Sequence, residues 1–492
     1  MARFDFVVLG SGPAGRRAAI QAAKLGKSVL VVDDRSKVGG VSVHTGTIPS
    51  KTLRETALNL SGWRERGFYG RSYRARETNG SADLSMRMAR TCEYEVAVLE
   101  HQFARNGVKT VVGRGRFDGA TSTGQHRVVI DRSEGDRQFI DTIEADKVLI
   151  AVGTAPFRPA HIPFNDTNVF DSDSFIANPR RPRSLTVVGG GVIGVEYATI
   201  FAALDVPVTL IDPRPKLLDF MDDEIVANLV HIMRDNGMAL RLGGMVERIR
   251  FAANGQPVCM LEDGRQVSSE VVLMTSGRCG ATGALGLDSV GLETDRRGYL
   301  EVDRGTFQTS VPGIYAAGDV VGFPCLASVS MEQGRAAACH AFGAPVVAEG
   351  QSNPYGVYSV PELSAVGLSE QEVRDRGIAY ECGVARFRET SRGHIMGMDY
   401  GVLKLICERD SRRLLGVHII GEGASELIRI GQAVINLGGT VDYFVDNSFN
   451  YPTLAEGYKI AALDVWNRLQ AQVAEVVELP AVQPVRRRVA RG

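Results

Sequence analysis

The stretch FDFVVLGSGPAGRRAAIQAAKLGKSVLVVDD, Phe4 to Asp34, decides the fold. The apolar run FDFVVLG has the length of a buried strand and leads into GSGPAG, followed by a helical stretch closed by Gly26 and a second β-rich run, SVLVVDD. Strand, glycine turn, helix, strand is the order of a dinucleotide-binding unit. Gly10 serves the tight turn, Gly12 the close approach of backbone to a pyrophosphate, and Gly15 the close packing of helix on strand, with the anion on the helix N-terminus. Asp33 ends the second strand, where a carboxylate accepts hydrogen bonds from a ribose.

A lone glycine fingerprint is weak, but this one recurs. The run SLTVVGGGVIGVEYATIFAALDVPVTLID carries Gly189, Gly191 and Gly194 and then Asp212. The glycine-to-acid spacing matches, since 33 − 10 and 212 − 189 both give 23. Two Rossmann-like units of one register predict an α/β protein that binds two dinucleotides. Electron transfer between the two is the use that follows, from a nicotinamide nucleotide that comes and goes to a resident carrier, usually flavin.

Composition sets bounds on this reading. With 492 residues, a net charge of -1 and 44% hydrophobic residues, the chain can bury large cores and divides into about three domains. Near-neutral charge gives no reason to expect nucleic acid or an anionic membrane, and no apolar run approaches the roughly 20 residues needed to span a bilayer. The first strand begins at Phe4, leaving no room for a secretory leader, so the expected location is cytoplasmic and the sequons at Asn59, Asn79 and Asn165 read as chance matches. Seven cysteines without a CxxC pair read as reduced, mostly buried thiols, and no spacing suits a metal site.

Three more stretches complete the pattern. KVLIAVGTAPFRP, Lys147 to Pro159, is a strand that ends at Gly153 and crosses into the second unit. GIYAAGDV, Gly313 to Val320, places Gly318 and Asp319 at a strand's carboxyl end, where ligands bind in open α/β sheets, although taken alone Asp319 reads rather as an ordinary turn aspartate. GGVSVHTGTIPSK, Gly39 to Lys51, precedes a helix.

The ordered set GSGPAG, GGVSVHTGTIPSK, GGGVIGVE, SGR (Ser276 to Arg278), YAAGDV and NYPTLAE resembles the pyridine nucleotide-disulfide oxidoreductase family of flavoproteins, from about Phe4 to Trp466. The resemblance implies an FAD-binding domain in two parts, 1–155 and 285–350, around an NAD(P)-binding domain at 156–284. It also implies a C-terminal α+β dimerisation domain at 351–478, giving a homodimer or higher homo-oligomer. Non-covalent FAD is then held by Gly10, Gly12, Gly15, Asp33, Gly39, Gly40, Ser42, Thr47, Gly153, Gly318 and Asp319. NAD(P) is held by Gly189, Gly191, Gly194, Asp212, Arg214, Gly277 and Arg278. By the same resemblance Lys51 pairs with Glu196 beside the flavin; from the residues alone Lys51 reads as a solvated surface lysine.

The departures from the family's pattern are informative. Members that reduce disulfides carry G-x-C-x-x-x-x-C, and here the two cysteine positions are Ser42 and Thr47, which can form neither a disulfide nor a thiolate. Those members also carry H-P-T-x-x-E, and here the histidine is Tyr451, ahead of Pro452, Thr453 and Glu456. Thiols and proton shuttle are missing together, which implies that electrons leave directly from the flavin. The pattern is most similar to the soluble (Si-specific) pyridine nucleotide transhydrogenase branch, which implies ping-pong hydride transfer from NADPH to NAD by way of FAD. Asp212 suits the 2'-hydroxyl of NAD and Arg214 the 2'-phosphate of NADP; the alternative is that Arg214 faces solvent and the site selects NAD. Val192 stands where many members place a gating tyrosine, and it reads either as a more open nicotinamide face or as plain core. Two other functions share these features: an NAD(P)H-dependent quinone or dye reductase, and a nucleotide-loaded redox sensor with little turnover.

Elsewhere, Met86 to Gly107 has the periodicity of one long helix, and from about Gln351 the pattern changes to an antiparallel sheet flanked by helices. The tail at 479–492, with Arg486, Arg487, Arg488 and Arg491 after two prolines, reads as disordered and basic.

Overall fold

The repeat in sequence is a repeat in structure. The computed structural model describes residues 2–70, 72–73, 81–121, 124–134, 137–177, 180–346 and 352–476, in two compact units divided after Glu362. In the first unit, strand Ala2–Leu9 lies between Val29–Asp33 and Arg137–Ile150 and is parallel to both, with Leu9 opposite Val32 on one side and Ile150 on the other. Phe6, Val7 and Val8 are fully buried, as befits a parallel strand covered on both faces. Helix Pro13–Lys24 has proline in its first turn and buries Ala14, Ala18, Ala19 and Ala22, small side chains that let helix and sheet approach closely.

A second parallel sheet runs in the order Ala239–Leu242, Val208–Asp212, Leu185–Val188, Val271–Met274, Val169–Asp171. Its turn copies the first: the Gly10 amide donates to the Val32 carbonyl and the Gly189 amide to the Ile211 carbonyl, both at 2.8 Å. The chain enters and leaves this region through Thr154–Pro156 and Arg278–Gly280, which pair antiparallel to each other. Strand Ile314–Ala316 then returns to the first sheet, with Ile314 beside Val148 and Ala316 beside Ile150.

The second unit begins at Leu363, later than the change of pattern near Gln351. The intervening segment is tied to the first unit: the Ser359 carbonyl accepts from Arg54 Nε at 2.9 Å, the Val360 amide donates to Thr199 Oγ1 at 3.0 Å, and Glu362 pairs with Arg54 at 3.2 Å. Beyond it, Leu363–Gly367, Leu414–Ile420, Val402–Glu408 and Tyr380–Arg386 form an antiparallel run. Helices Ala424–Asn436 and Glu456–Val476 meet through buried Tyr458, whose hydroxyl donates to the Leu427 carbonyl at 2.8 Å.

The helix expected at Met86 begins earlier, as Ser81–Arg105, because Leu84 already joins the core; it ends before a turn at Gly107, where φ is +69°. The expected disordered tail at 479–492 lies outside the described residues. All seven cysteines are free, but the expectation that most are buried is corrected: only Cys259, Cys339 and Cys407 are, while Cys325 is exposed. Among the described residues no helix is long and apolar enough to cross a membrane.

Candidate active site

A cavity of about 360 Å³ opens at the glycine turn of the first sheet. Of the residues singled out by sequence, Gly10, Gly12, Asp33, Gly40, Ser42, Thr47, Gly153, Gly318 and Asp319 line it. Gly15 and Gly39 stand behind the wall. A Cβ on Gly15 would strike the Gly10 carbonyl, and one on Gly39 would lie 2.7 Å from the Val43 side chain. Gly40, at φ +60°, faces Gly12 so closely that a Cβ would come within 2.8 Å of the Gly12 Cα. Sequence reasoning missed Ser11, which ties these loops together. Its fully buried hydroxyl accepts from the Gly39 amide at 2.9 Å and donates to Asp33 Oδ2 at 2.5 Å.

Asp33 receives three donors: the Ser11 amide at 2.7 Å, the Ser11 hydroxyl and the Arg35 amide at 2.9 Å. A carboxylate offers about four lone-pair positions, so one acceptor remains for a ligand hydroxyl. Asp319 is partnered by the Ser330 hydroxyl at 3.2 Å, and its burial pushes the carboxyl above its ordinary range against the pull of Ser330 and Arg278. A glycine cradle, a helix N-terminus and an acid with a free acceptor fit a dinucleotide such as FAD.

Thr47 opens helix Thr47–Ser61, and Lys51 lies one turn further on. Lys51 Nζ reaches Glu196 Oε2 at 2.7 Å and Oε1 at 3.0 Å, and Oε1 also accepts the Tyr358 amide at 2.9 Å. The Glu196 side chain is 5% exposed and that of Lys51 is 27% exposed, so a buried carboxylate holds an ammonium that keeps one side open. The Tyr358 ring lies 4.9 Å from the same ammonium, close enough for a cation–π contact. Tyr358 was not legible in the sequence; its proximity to Lys51 arises from the chain's return at residues 352–362.

Ser42 donates to the Gly39 carbonyl at 2.9 Å, and neither Ser42 nor Thr47 brings a sulfur to the cavity. The lining thiol is Cys325. It is open at its surface but surrounded on its other sides, and that partial burial, reinforced by the Asp319 carboxylate, pushes its thiol up to about 12, so it stays protonated at neutral pH.

Around the second fingerprint, Gly189 has φ +115° and a Cβ on Gly194 would strike the Gly189 carbonyl, so both glycines are required. Thr275 Oγ1 buttresses the turn by donating to the Gly189 carbonyl at 2.9 Å, and Gly277 follows at φ +108°. Gly191 precedes helix Val192–Ala203, which carries Val192 at its first position and Glu196 one turn later. Asp212 is 3% exposed in its side chain and lies against Arg214 Nε at 3.0 Å. Burial pushes the Asp212 carboxyl up, but the Arg214 side chain and the Gly190 and Arg214 amides outweigh it and hold it low.

Arg278 is turned toward the first cavity. It donates to Thr154 Oγ1 at 2.9 Å and to the Thr154 carbonyl at 2.8 Å, and it pairs with Asp173 at 2.7 Å. Asp173, also missed by sequence reasoning, accepts from Thr45 Oγ1 at 3.2 Å and so joins Arg278 to the Gly39–Lys51 segment. Among the described residues no group of three or more His, Cys, Asp or Glu side chains is placed to hold a metal ion.

Residues 4–334 match the family described as pyridine nucleotide-disulphide oxidoreductase, and residues 353–462 match that family's dimerisation domain. A relative from Mycobacterium tuberculosis H37Ra, named soluble pyridine nucleotide transhydrogenase, is 46% identical over 96% of this chain and 99% of its own. Relatives of the same name from Marinomonas and from Pseudomonas putida KT2440 are 40% and 39% identical, each over 95% of this chain and 99% of their own. Among solved structures, LpdA from Mycobacterium tuberculosis superposes with a TM-score of 0.85 at 28% identity, over 94% of this chain and 99% of the other. The HOCl-induced flavoprotein disulfide reductase RclA from Escherichia coli reaches 0.82 at 25% identity, over 93% and 99%.

Proposed function

The chain belongs to the pyridine nucleotide-disulphide oxidoreductase family, and from that premise we propose that it is a soluble transhydrogenase, moving hydride from NADPH to NAD by way of non-covalently bound FAD as a homodimer. The observation that carries the reading is a complete Lys51–Glu196 pair in a site where both thiol positions hold hydroxyls, Ser42 and Thr47. Bound FAD supplies the two-electron carrier between the nucleotides. Asp33, Gly12, Gly40 and Asp319 would hold it, with Ser11 fixing Asp33 and the Gly39 loop behind them and Asp173 and Arg278 bracing the wall beside it. The second fingerprint, with Asp212 and Arg214, takes each nicotinamide nucleotide in turn. Glu196, fixed by the Tyr358 amide, aims the Lys51 ammonium, which stabilises negative charge that develops as hydride moves. No protein nucleophile or thiol proton shuttle takes part, so positioning and electrostatics are the whole of the protein's contribution.

The test is anaerobic reduction of thio-NAD by NADPH with FAD-loaded protein and no quinone or disulfide present. Fast turnover is expected. Rapid bleaching of the flavin without turnover refutes the reading and selects a quinone or dye reductase, and slow reaction with every acceptor selects a redox sensor.

A further inference from the structure

The two glycine–acid units agree in register but differ in what their acids have left to offer. Asp212 receives four donors: on Oδ1 the Arg214 amide at 2.8 Å and Arg214 Nε at 3.0 Å, and on Oδ2 the Gly190 amide and Arg214 Nη2 at 3.1 Å. Four donors on about four lone-pair positions leave no acceptor, whereas Asp33 keeps one. The usual division, in which the acid after the fingerprint reads the adenosine 2'-hydroxyl of NAD, therefore has no free group to act through at Asp212.

Arg214 is in the opposite condition. Of its five N–H donors, Nε and one on Nη2 hold Asp212, and one on Nη1 reaches Asp219 at 3.3 Å. One N–H remains on each of Nη1 and Nη2 of a guanidinium whose side chain is 42% exposed, and an always-charged group with spare donors suits a phosphate. Lys216, two residues on in the same loop, is tied to Asp223.

We infer that Asp212 is a positioning residue that seats Arg214, that the seated Arg214 reads the 2'-phosphate of NADP, and that NAD is accepted without a hydrogen bond from its adenosine 2'-hydroxyl to Asp212. The inference deepens the assignment of this unit as the nicotinamide nucleotide site and rests on it. Dual use of NADP and NAD then needs no rearrangement of the loop: the ion pair stays closed, one nucleotide gains an added contact and the other does without it.

The test uses FAD-loaded protein and three ligands that carry no nicotinamide: ADP-ribose, ADP-ribose lacking its adenosine 2'-hydroxyl, and 2'-phospho-ADP-ribose, each titrated by calorimetry. Removal of the hydroxyl is expected to change Kd less than about twofold, and addition of the phosphate to tighten binding about tenfold or more, the scale of a charge-assisted hydrogen bond. Arg214→Ala and Asp212→Asn are both expected to weaken 2'-phospho-ADP-ribose far more than ADP-ribose. A tenfold loss on removing the hydroxyl, or a larger effect of Asp212→Asn on ADP-ribose than on its phosphorylated form, overturns the inference. The three titrations of the unmodified protein decide the first point even where a variant fails to fold. No hydride moves in these titrations. Failed transhydrogenation therefore leaves the inference standing, and equal binding of all three ligands removes it without touching the turnover result.

Discussion

Replacing Lys51 with Met and Glu196 with Gln, singly and together, asks whether the pair acts as one unit. Glu196 receives the ammonium through two bonds of 2.7 and 3.0 Å, and its side chain is 5% exposed. Hydrogen bonds to charged groups contribute about 1.5–3 kcal/mol, and full loss of a partner from a buried pair costs about 3–5 kcal/mol. Lys51 is open to water on one side, and Glu196 keeps the Tyr358 amide in any Lys51 variant, which places the expected coupling at the lower end, about 2–3 kcal/mol. Expressed in the barrier, that is roughly 30- to 150-fold in rate. The assay is anaerobic stopped-flow bleaching of the flavin by NADPH, with flavin content checked first; all three variants are expected to retain FAD. Each single replacement is expected to slow bleaching by about that factor, and the double replacement to be no slower than Lys51→Met alone. Unchanged rates in Lys51→Met, or strictly additive effects of the two replacements, refute the role given to the pair.

Three further outcomes are expected. Tyr358→Leu removes the ring 4.9 Å from Lys51 and should slow bleaching about two- to fivefold, the scale of a partly exposed cation–π contact of about 0.5–1 kcal/mol, while Tyr358→Phe stays near the original rate; equal loss in both points away from the ring. Gly40→Ala forces a side chain at φ +60° to within 2.8 Å of the Gly12 Cα, a strain of about 1–3 kcal/mol, and should yield protein that releases FAD on gel filtration; stoichiometric flavin in the variant argues against the cradle. Cys325, with its thiol pushed up to about 12, is protonated at neutral pH although exposed, so iodoacetamide labelling followed by peptide mapping should be slow at pH 7 and rise about tenfold per pH unit toward 12; a rate already level by pH 9 contradicts that environment.

The two nucleotide units were legible because their constraints are local. A positive φ at Gly10 and Gly189, and the lack of room at Gly15 and Gly194, act within one turn and so appear at fixed spacing. Lys51 and Glu196 are 145 residues apart, and only the family resemblance linked them. Ser11 passed unnoticed as the variable position between two glycines, although a hydroxyl there, facing an acid at the next strand end, was a readable signal. Asp173 and Tyr358 gave no local sign, since the first acts through Arg278 and the second through its ring and backbone amide. The state of Asp212 could be half read: an acid two residues before an arginine favours a local turn, but the Gly190 donor that fills the last position depends on the folded loop.

Strand Ile314–Ala316 closes the first sheet beside Val148–Ile150, so neighbours in the sheet are separated by 314 − 148 = 166 positions in the chain. At about 5–20 residues per second, a ribosome takes roughly 10–30 s to deliver the missing strand after Val148 has emerged. Over that interval Val148, Leu149 and Ile150 form an unpaired apolar edge, while the inserted sheet has all its own strands by Met274 and can fold first. Synthesis therefore imposes an order of assembly, the inserted sheet before the sheet that surrounds it in sequence. A pause in translation between Met274 and Ile314 would lengthen the exposure of that edge and favour aggregation of the nascent chain.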